Sequence, residues 1–407
     1  MTESLTAPIN LWRRIFAPFA VGYFLSYLLR NANAVISPEL TRDLGLTAAD
    51  LGLLTSAYLL AFGAFQLPLG ILLDRYGPRR VETVLLLICA AGCALFAAGT
   101  ALPQLTLGRA MIGLGVSACM MASFKAFSLW FPIERQASLN AALMAAGGLG
   151  ALAASSPLGA LMPVIGWRGI FIAMSVFALL AAGLIFTTPE KSAAHSTETL
   201  RQQLAGLVAI FASRVFWRFA PQTTFIVGGF MAIQGLWAMP WLLTVSGLSR
   251  EAATFHLLLM AAAQLTGFLA IAFFVRRLAQ AGIPPVRLLT IGMGCGLLAM
   301  LGILLDLGPT WLLWPSLALV FAVGNLAYAL LTAQFPVTLA GRANTALNLG
   351  AFLGAFVIQW LFGVAVDAGQ AAGFDAATAY RASLAGLLLL QALGWGWFVL
   401  EGRRKPG

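Results

Sequence analysis

Gly70-Ile-Leu-Leu-Asp-Arg-Tyr-Gly-Pro-Arg-Arg80 lies between two long apolar segments, one running up to about Leu73 and one running on from about Val81. Hydrocarbon does not accept a charged, glycine-containing cluster of this kind, so the stretch marks a membrane surface. Which surface it marks, and what the flanking helices enclose, decides the reading of the rest.

The 407 residues are 60% hydrophobic and only 9% charged, against about 25% charged in a soluble domain. That composition specifies an integral membrane protein. The apolar runs exceed the ~20 residues that carry a helix across ~30 Å of hydrocarbon, which excludes a barrel of short alternating strands. The net charge of +10 comes from cations at the ends of apolar runs, so it reports topology and not nucleic-acid binding. Met1 to Asn10 is polar, and the apolar run after Arg13 and Arg14 is too long for a cleavable signal, so none is expected. Cys89, Cys93, Cys119 and Cys295 all fall inside apolar segments with no His or acid beside them. They read as small core residues, and no metal or cofactor is expected.

Twelve spans follow, at roughly 14–37, 48–73, 80–101, 105–131, 137–162, 168–187, 220–245, 252–275, 286–305, 309–334, 341–366 and 378–400. The polar interruption at 188–219 divides an N-terminal six-helix bundle (1–187) from a C-terminal one (220–407). Most Lys and Arg, including Arg75, Arg79, Arg80, Arg135, Arg276, Arg277 and Arg342, fall on one side. Only Arg42, Arg109, Arg168, Arg250 and Arg381 fall on the other. The richer side is cytoplasmic, which puts both termini and the linker inside a cytoplasmic or inner membrane. Two similar halves around a central site is the plan of a secondary transporter. A weak repeat supports it: span 2 ends in Asp74-Arg75-Tyr76-Gly77-Pro78 and span 8 in Arg276-Arg277, with Gly282 and Pro284 following.

Gly70, Leu72, Asp74, Arg75, Gly77, Arg79 and Arg80 resemble the loop 2–3 signature of the major facilitator superfamily. The resemblance implies an all-α fold of two six-helix bundles that give alternating access to a midplane cavity. Gly70 then permits close helix approach, and Gly77 supplies a turn that a β-carbon would penalise. Asp74 is placed to face the positive N-terminal end of span 11. The resemblance makes that contact a cytoplasmic latch, with Arg75, Arg79 and Arg80 completing the gating motif.

Inside the spans stand two cations, Arg30 and Lys125, and no carboxylate; Asp74 and Glu82 are expected at the inner surface, Glu39 and Asp367 near the outer one. A charge at a helix centre costs about 2.5–3.5 kcal/mol on insertion scales, so it turns to a wet cavity or a partner. With no acid at their depth, an anionic substrate is the partner the two cations call for. Arg30 shares a helix face with Tyr23 and Tyr27. The plainer alternative is snorkelling, since span 1 ends about seven residues after Arg30, and Lys125 is nearer still to a surface. Tyr27-Leu-Leu-Arg30-Asn and Lys125-Ala-Phe-Ser-Leu-Trp130-Phe-Pro-Ile-Glu134-Arg135 also resemble the organophosphate:phosphate antiporters and the anion:cation symporters. That resemblance implies anion contact at Arg30. It departs at Lys125, usually an arginine, and at span 7, which lacks an arginine, so small carboxylates fit better than phosphate esters.

The second half offers Gln234 and Trp237 on span 7, Gln264 on span 8 and Asn325 on span 10 as substrate-binding candidates. For most such groups an interhelical hydrogen bond is the plainer reading. His256 and Met260 together are a thin case for a soft-metal carrier. With no acid at mid-membrane, facilitated transport or exchange is favoured, with coupling through His256 or Glu39 left open. The expectation is a monomeric carrier of a small organic anion, with a coupling ion or counter-substrate. Carriers of neutral or zwitterionic solutes such as amino acids or drugs, and a non-transporting membrane sensor, are the alternatives. No enzyme constellation, nucleotide-binding loop or nucleic-acid surface is present.

Overall fold

The computed structural model describes residues 11–189, 206 and 208–403. Among them is no strand, and besides a short helical stretch at 208–211 the helices are α1 (12–44), α2 (48–76), α3 (78–98), α4 (Leu102–Trp130), α5 (133–165), α6 (167–186), α7 (Arg214–Thr244), α8 (Arg250–Gln280), α9 (Pro285–Leu304), α10 (Thr310–Thr332), α11 (Val337–Ala371) and α12 (Ala376–Arg403). In hydrocarbon each backbone N–H and C=O must be satisfied within the protein, and a continuous helix does this locally. Among the described residues, nine helical stretches are long and apolar enough to cross a membrane. One of them, Ala48–Ala98, is two spans joined at Gly77, whose φ of 80° breaks the helix between α2 and α3. A side chain there would be strained, so the motif glycine sets the turn. Gly166, at φ 63°, divides α5 from α6 in the same way.

The chain forms two compact units. The first comprises the chain up to Ile36 together with the stretch from Ala57 through α6, and the second comprises Ser37–Ser56 with α7 to α12. The last turns of α1 and the first turns of α2 thus belong to the second unit. Asp367 of α11 accepts hydrogen bonds from the backbone N–H groups of Ala48 and Ala49 at 3.1 and 2.8 Å. It caps the otherwise open N-terminus of α2. Glu39, almost fully buried, is ion-paired with Arg250 at the start of α8.

In the first unit Phe96 packs against Trp167 and Phe171, and Phe127 against Phe16 and Phe19. In the second, Phe216, Phe219, Leu289, Leu347 and Phe398 share one core. Large apolar side chains such as Val164, Leu180, Phe273 and Leu298 stand exposed on the helix surfaces. On a soluble protein such a surface would be an association hazard; on a membrane protein it is the lipid contact.

Candidate functional site

α1 supplies the axis of the site. It runs to Leu44, well past the end near 37 that the sequence suggests. Arg30 therefore lies deeper in its helix than expected, and the snorkelling alternative weakens. Its guanidinium sits 4.9 Å from the ring centroids of both Tyr27 and Phe62, a cation held against two aromatic faces. Tyr23 and Tyr27, one turn apart, meet edge-to-face at 5.1 Å. The Tyr23 hydroxyl turns toward the sulfurs of Met120 and Met144. α5 admits this pair only because position 147 is glycine: a β-carbon there would stand 2.6 Å from the Tyr23 ring and 3.0 Å from that of Tyr27.

Tyr58 of α2 links two cations. Its hydroxyl donates to the Ser26 carbonyl at 3.4 Å and is an electrostatic neighbour of Arg30. The Arg109 guanidinium lies 5.0 Å over its ring. Arg109 is fully buried, with Nη1 donating to the Leu29 carbonyl at 3.2 Å. The sequence suggests an outer-surface position for Arg109. The structure makes it a third embedded cation, locking α4 to α1 next to Arg30.

Lys125 does not stand without an acid. Its Nζ lies 2.7 Å from Asp74 Oδ1, both side chains about one-third exposed (29% and 31%). That overturns the expectation that no carboxylate reaches the depth of Lys125. The partner shown for Asp74 is likewise this lysine of α4. The remaining motif cations serve the same end of the unit. Arg79 donates to the Thr188 carbonyl at 3.1 Å, and the Arg75 guanidinium stands 5.3 Å from the Tyr76 ring. Gly70 departs from its expected role, since a β-carbon there would meet nothing within 4 Å.

In the second unit Gln234 Nε2 donates to Gln264 Oε1 at 3.1 Å, so this pair, both partly buried, is brought together. Gln234 sits in a π-helical turn, Ile233–Trp237, the second in α7 after Thr223–Val227; wide turns of this kind often mark functional positions. Trp237 differs from expectation. It is 1% exposed, stacks on Phe362 at 4.9 Å and donates to the Gln359 carbonyl at 3.0 Å, which makes it core. Asn325 is exposed and closes a 3₁₀ turn, Ala322–Asn325, within α10. Both ring nitrogens of His256 are engaged, at 2.7 Å to the Ala252 carbonyl and 3.0 Å to Thr310 Oγ1, so this imidazole is packed.

The sequence profile of the Major Facilitator Superfamily matches residues 19–359. The chain belongs to the Major Facilitator Superfamily. Among its relatives are a probable L-galactonate transporter of Escherichia coli, 32% identical over 158 residues (39% of this chain, 35% of that one), and a probable sulfoacetate transporter of Cupriavidus necator, 25% identical over 192 residues (46% and 45%). The 4-hydroxybenzoate transporter of Pseudomonas aeruginosa is 29% identical over 200 residues (48% and 44%). The chain thus spans less than half the length of these relatives. Over nearly its whole length the fold matches a bacterial Spinster homologue in an inward-facing conformation (TM-score 0.75, 16% identity, 97% and 98% covered). It matches a D-xylose–proton symporter similarly (TM-score 0.73, 19% identity, 94% and 98% covered).

One further buried residue escapes a reading from sequence. Glu82 lies two positions beyond Arg80 and is expected at the inner surface, yet it is 0% exposed. α3 resumes directly after the Gly77 turn, so Glu82 is already a turn into the helix and faces the interior of the first unit. The expectation of no embedded carboxylate is therefore overturned as well.

Proposed function

We propose that this chain carries small organic anions, carboxylates foremost, across the cytoplasmic membrane as a secondary active or facilitative carrier working by alternating access. The observation that carries this reading is the setting of Arg30: a guanidinium deep in α1, pressed between Tyr27 and Phe62, with the phenols of Tyr27 and Tyr58 close by. Such a group offers a forked, fixed donor set that suits a carboxylate in two-pronged contact. The relatives named for L-galactonate, sulfoacetate and 4-hydroxybenzoate share an anionic group, which supports the same class of cargo. Arg30, Tyr23 and Tyr27 are the anion-contacting residues of the first unit. Gln234 with Gln264, and Asn325, are the polar candidates of the second. Lys125, held by Asp74, belongs with the gating residues Gly70, Asp74, Arg75, Gly77, Arg79 and Arg80. The cation bias of the loops supports both termini on the cytoplasmic side.

Counterflow in proteoliposomes with L-galactonate, sulfoacetate and 4-hydroxybenzoate tests the reading. A charge-assisted contact contributes about 1.5–3 kcal/mol, so Arg30→Ala is expected to weaken anion competition about tenfold or more, with Arg30→Lys in between. Wild-type competition by anions in Arg30→Ala would overturn it, and exchange of neutral solutes alone would favour a carrier of uncharged cargo.

A further inference from the structure

The cation-rich end of the second unit carries a seam between α7 and α12 that neither the anion site nor the gate uses. On α12, Leu393, Trp397 and Leu400 recur at helical spacing and all stand exposed. Arg403, the last residue of the helix, continues the same stripe. Trp217 of α7, about half exposed, lies beside it, since Trp397 Nε1 donates to the Trp217 carbonyl at 2.6 Å. Trp217 Nε1 in turn donates to the Phe211 carbonyl at 2.7 Å. Both indole N–H groups are thereby spent within the protein. What the two tryptophans offer outward is ring surface, which suits hydrocarbon and not a polar ligand.

At the head of this strip stand cations. Arg214 opens α7, and Arg218 follows one turn later on the same face. The Arg218 guanidinium lies 4.9 Å from the Phe398 ring, and glycine at 402 makes room for it, because a β-carbon there would collide with Nη2. The start of α7 thus meets α12 one residue before Arg403. Among the described residues the acid at this place is Glu401, an electrostatic neighbour of Arg218. Arg214 and Arg403 are exposed and have no ion-pair partner among the described residues.

Exposed leucines alone are ordinary lipid contact. Two unanswered guanidiniums at the head of the strip make it selective, because they call for a phosphate where the strip calls for a tail. From Leu393 to Leu400 the helix rises ~10 Å, enough to lay a length of acyl chain along it. A soluble phosphate would use the arginines and leave the strip idle; a lipid uses both.

We propose that the α7–α12 seam is a binding site for an anionic phospholipid of the bilayer, its phosphate on Arg214 and Arg403 and its acyl chain along Leu393, Trp397, Leu400 and Trp217. The site is separate from the cargo site, so its test needs no transport. The full chain in mild detergent is titrated with phosphatidylglycerol, or with phosphatidylcholine of the same chains, and bound lipid is read by native mass spectrometry. An arginine near an anionic headgroup is worth about fivefold in binding. Wild type is therefore expected to hold phosphatidylglycerol roughly twentyfold more tightly than phosphatidylcholine. Arg214→Gln with Arg403→Gln should abolish that preference. Arg287→Gln, a cation at the start of α9 and away from the seam, should bind as wild type does. Trp397→Ala should weaken both lipids alike, through the tail.

Equal retention of the two lipids by wild type, or an undiminished preference in the double variant, overturns the proposal. An equal loss in Arg287→Gln also overturns it, since net charge and not the seam would then hold the lipid. Inorganic phosphate that displaces phosphatidylglycerol from wild type marks a soluble-anion site and overturns the lipid assignment. Should the double variant not fold, wild type titrated at low and high salt decides: a preference that fades with salt supports the site, and an unchanged one refutes it.

Discussion

Neutralising Lys125 and Asp74, singly and together, tests what joins the gate motif to α4. Lys125→Met and Asp74→Asn keep length and shape while removing charge. Two unit charges at about 4 Å attract by about 4 kcal/mol at an effective dielectric of 20. Here the Nζ–Oδ1 distance is 2.7 Å, but the side chains remain 29% and 31% exposed. Water and salt therefore cancel most of the attraction. About 1 kcal/mol is left, at the upper end for exposed pairs and the lower end for charge-assisted hydrogen bonds. That corresponds to roughly a fivefold change in the population of the conformation holding the pair. Thermal unfolding of the four purified proteins forms a double-mutant cycle, and its interaction term should be about 1 kcal/mol. The same cycle on counterflow separates two roles for the lysine. If Lys125 serves the gate, Lys125→Met has little further effect once Asp74 is asparagine. If it contacts the anion, the affinity loss persists in that background. A stability loss in the double variant equal to the sum of the single losses would refute the pairing argument.

Gly147→Ala puts a methyl group into the Tyr23–Tyr27 pair. Overpacking costs about 1–3 kcal/mol, and because Tyr27 carries the Arg30 guanidinium, anion affinity measured by competition should fall with it. Asp367→Ala removes the acceptor for the Ala48 and Ala49 N–H groups; loss of a cap costs about 1 kcal/mol in a thermal or denaturant series. Asp375 caps α12, accepting from the Thr378 hydroxyl and N–H, and these hydrogen bonds hold its carboxyl below the ordinary aspartate range. A depressed carboxyl contributes stability above the unfolded-state value, about 3.9, and loses it as pH falls through the folded value. Acid unfolding curves of Asp375→Asn should therefore lack the component that wild type loses below about pH 4.

Much of the architecture was legible without coordinates, because hydropathy and loop charge are properties of short stretches. A run such as 168–187 declares itself apolar wherever it packs, and Gly77 followed by Pro78 declares a turn. The site was legible in part. The stripe of Tyr23, Tyr27 and Arg30 follows from helical spacing, and Gln234 with Gln264 emerged as a bonded pair. Trp237, placed on the same face as Gln234, went to the core, because spacing gives a face but not what that face meets. Arg109 and Glu82 were missed because distance from a loop, counted along the chain, is a poor measure of depth near a helix end.

Sequence alone determined that this chain lives in a bilayer as a series of helices, and that cations sit within those helices, since insertion responds to each segment's own transfer free energy. Tertiary structure decided which of those charges is answered by the protein itself. Lys125 found Asp74 and Arg109 found the Leu29 carbonyl, while Glu82 was enclosed beside the Cys119 thiol. Partners of this kind come from helices far apart in the chain. Only packing brings them to contact distance, and in a medium without water that contact fixes which groups can stay charged.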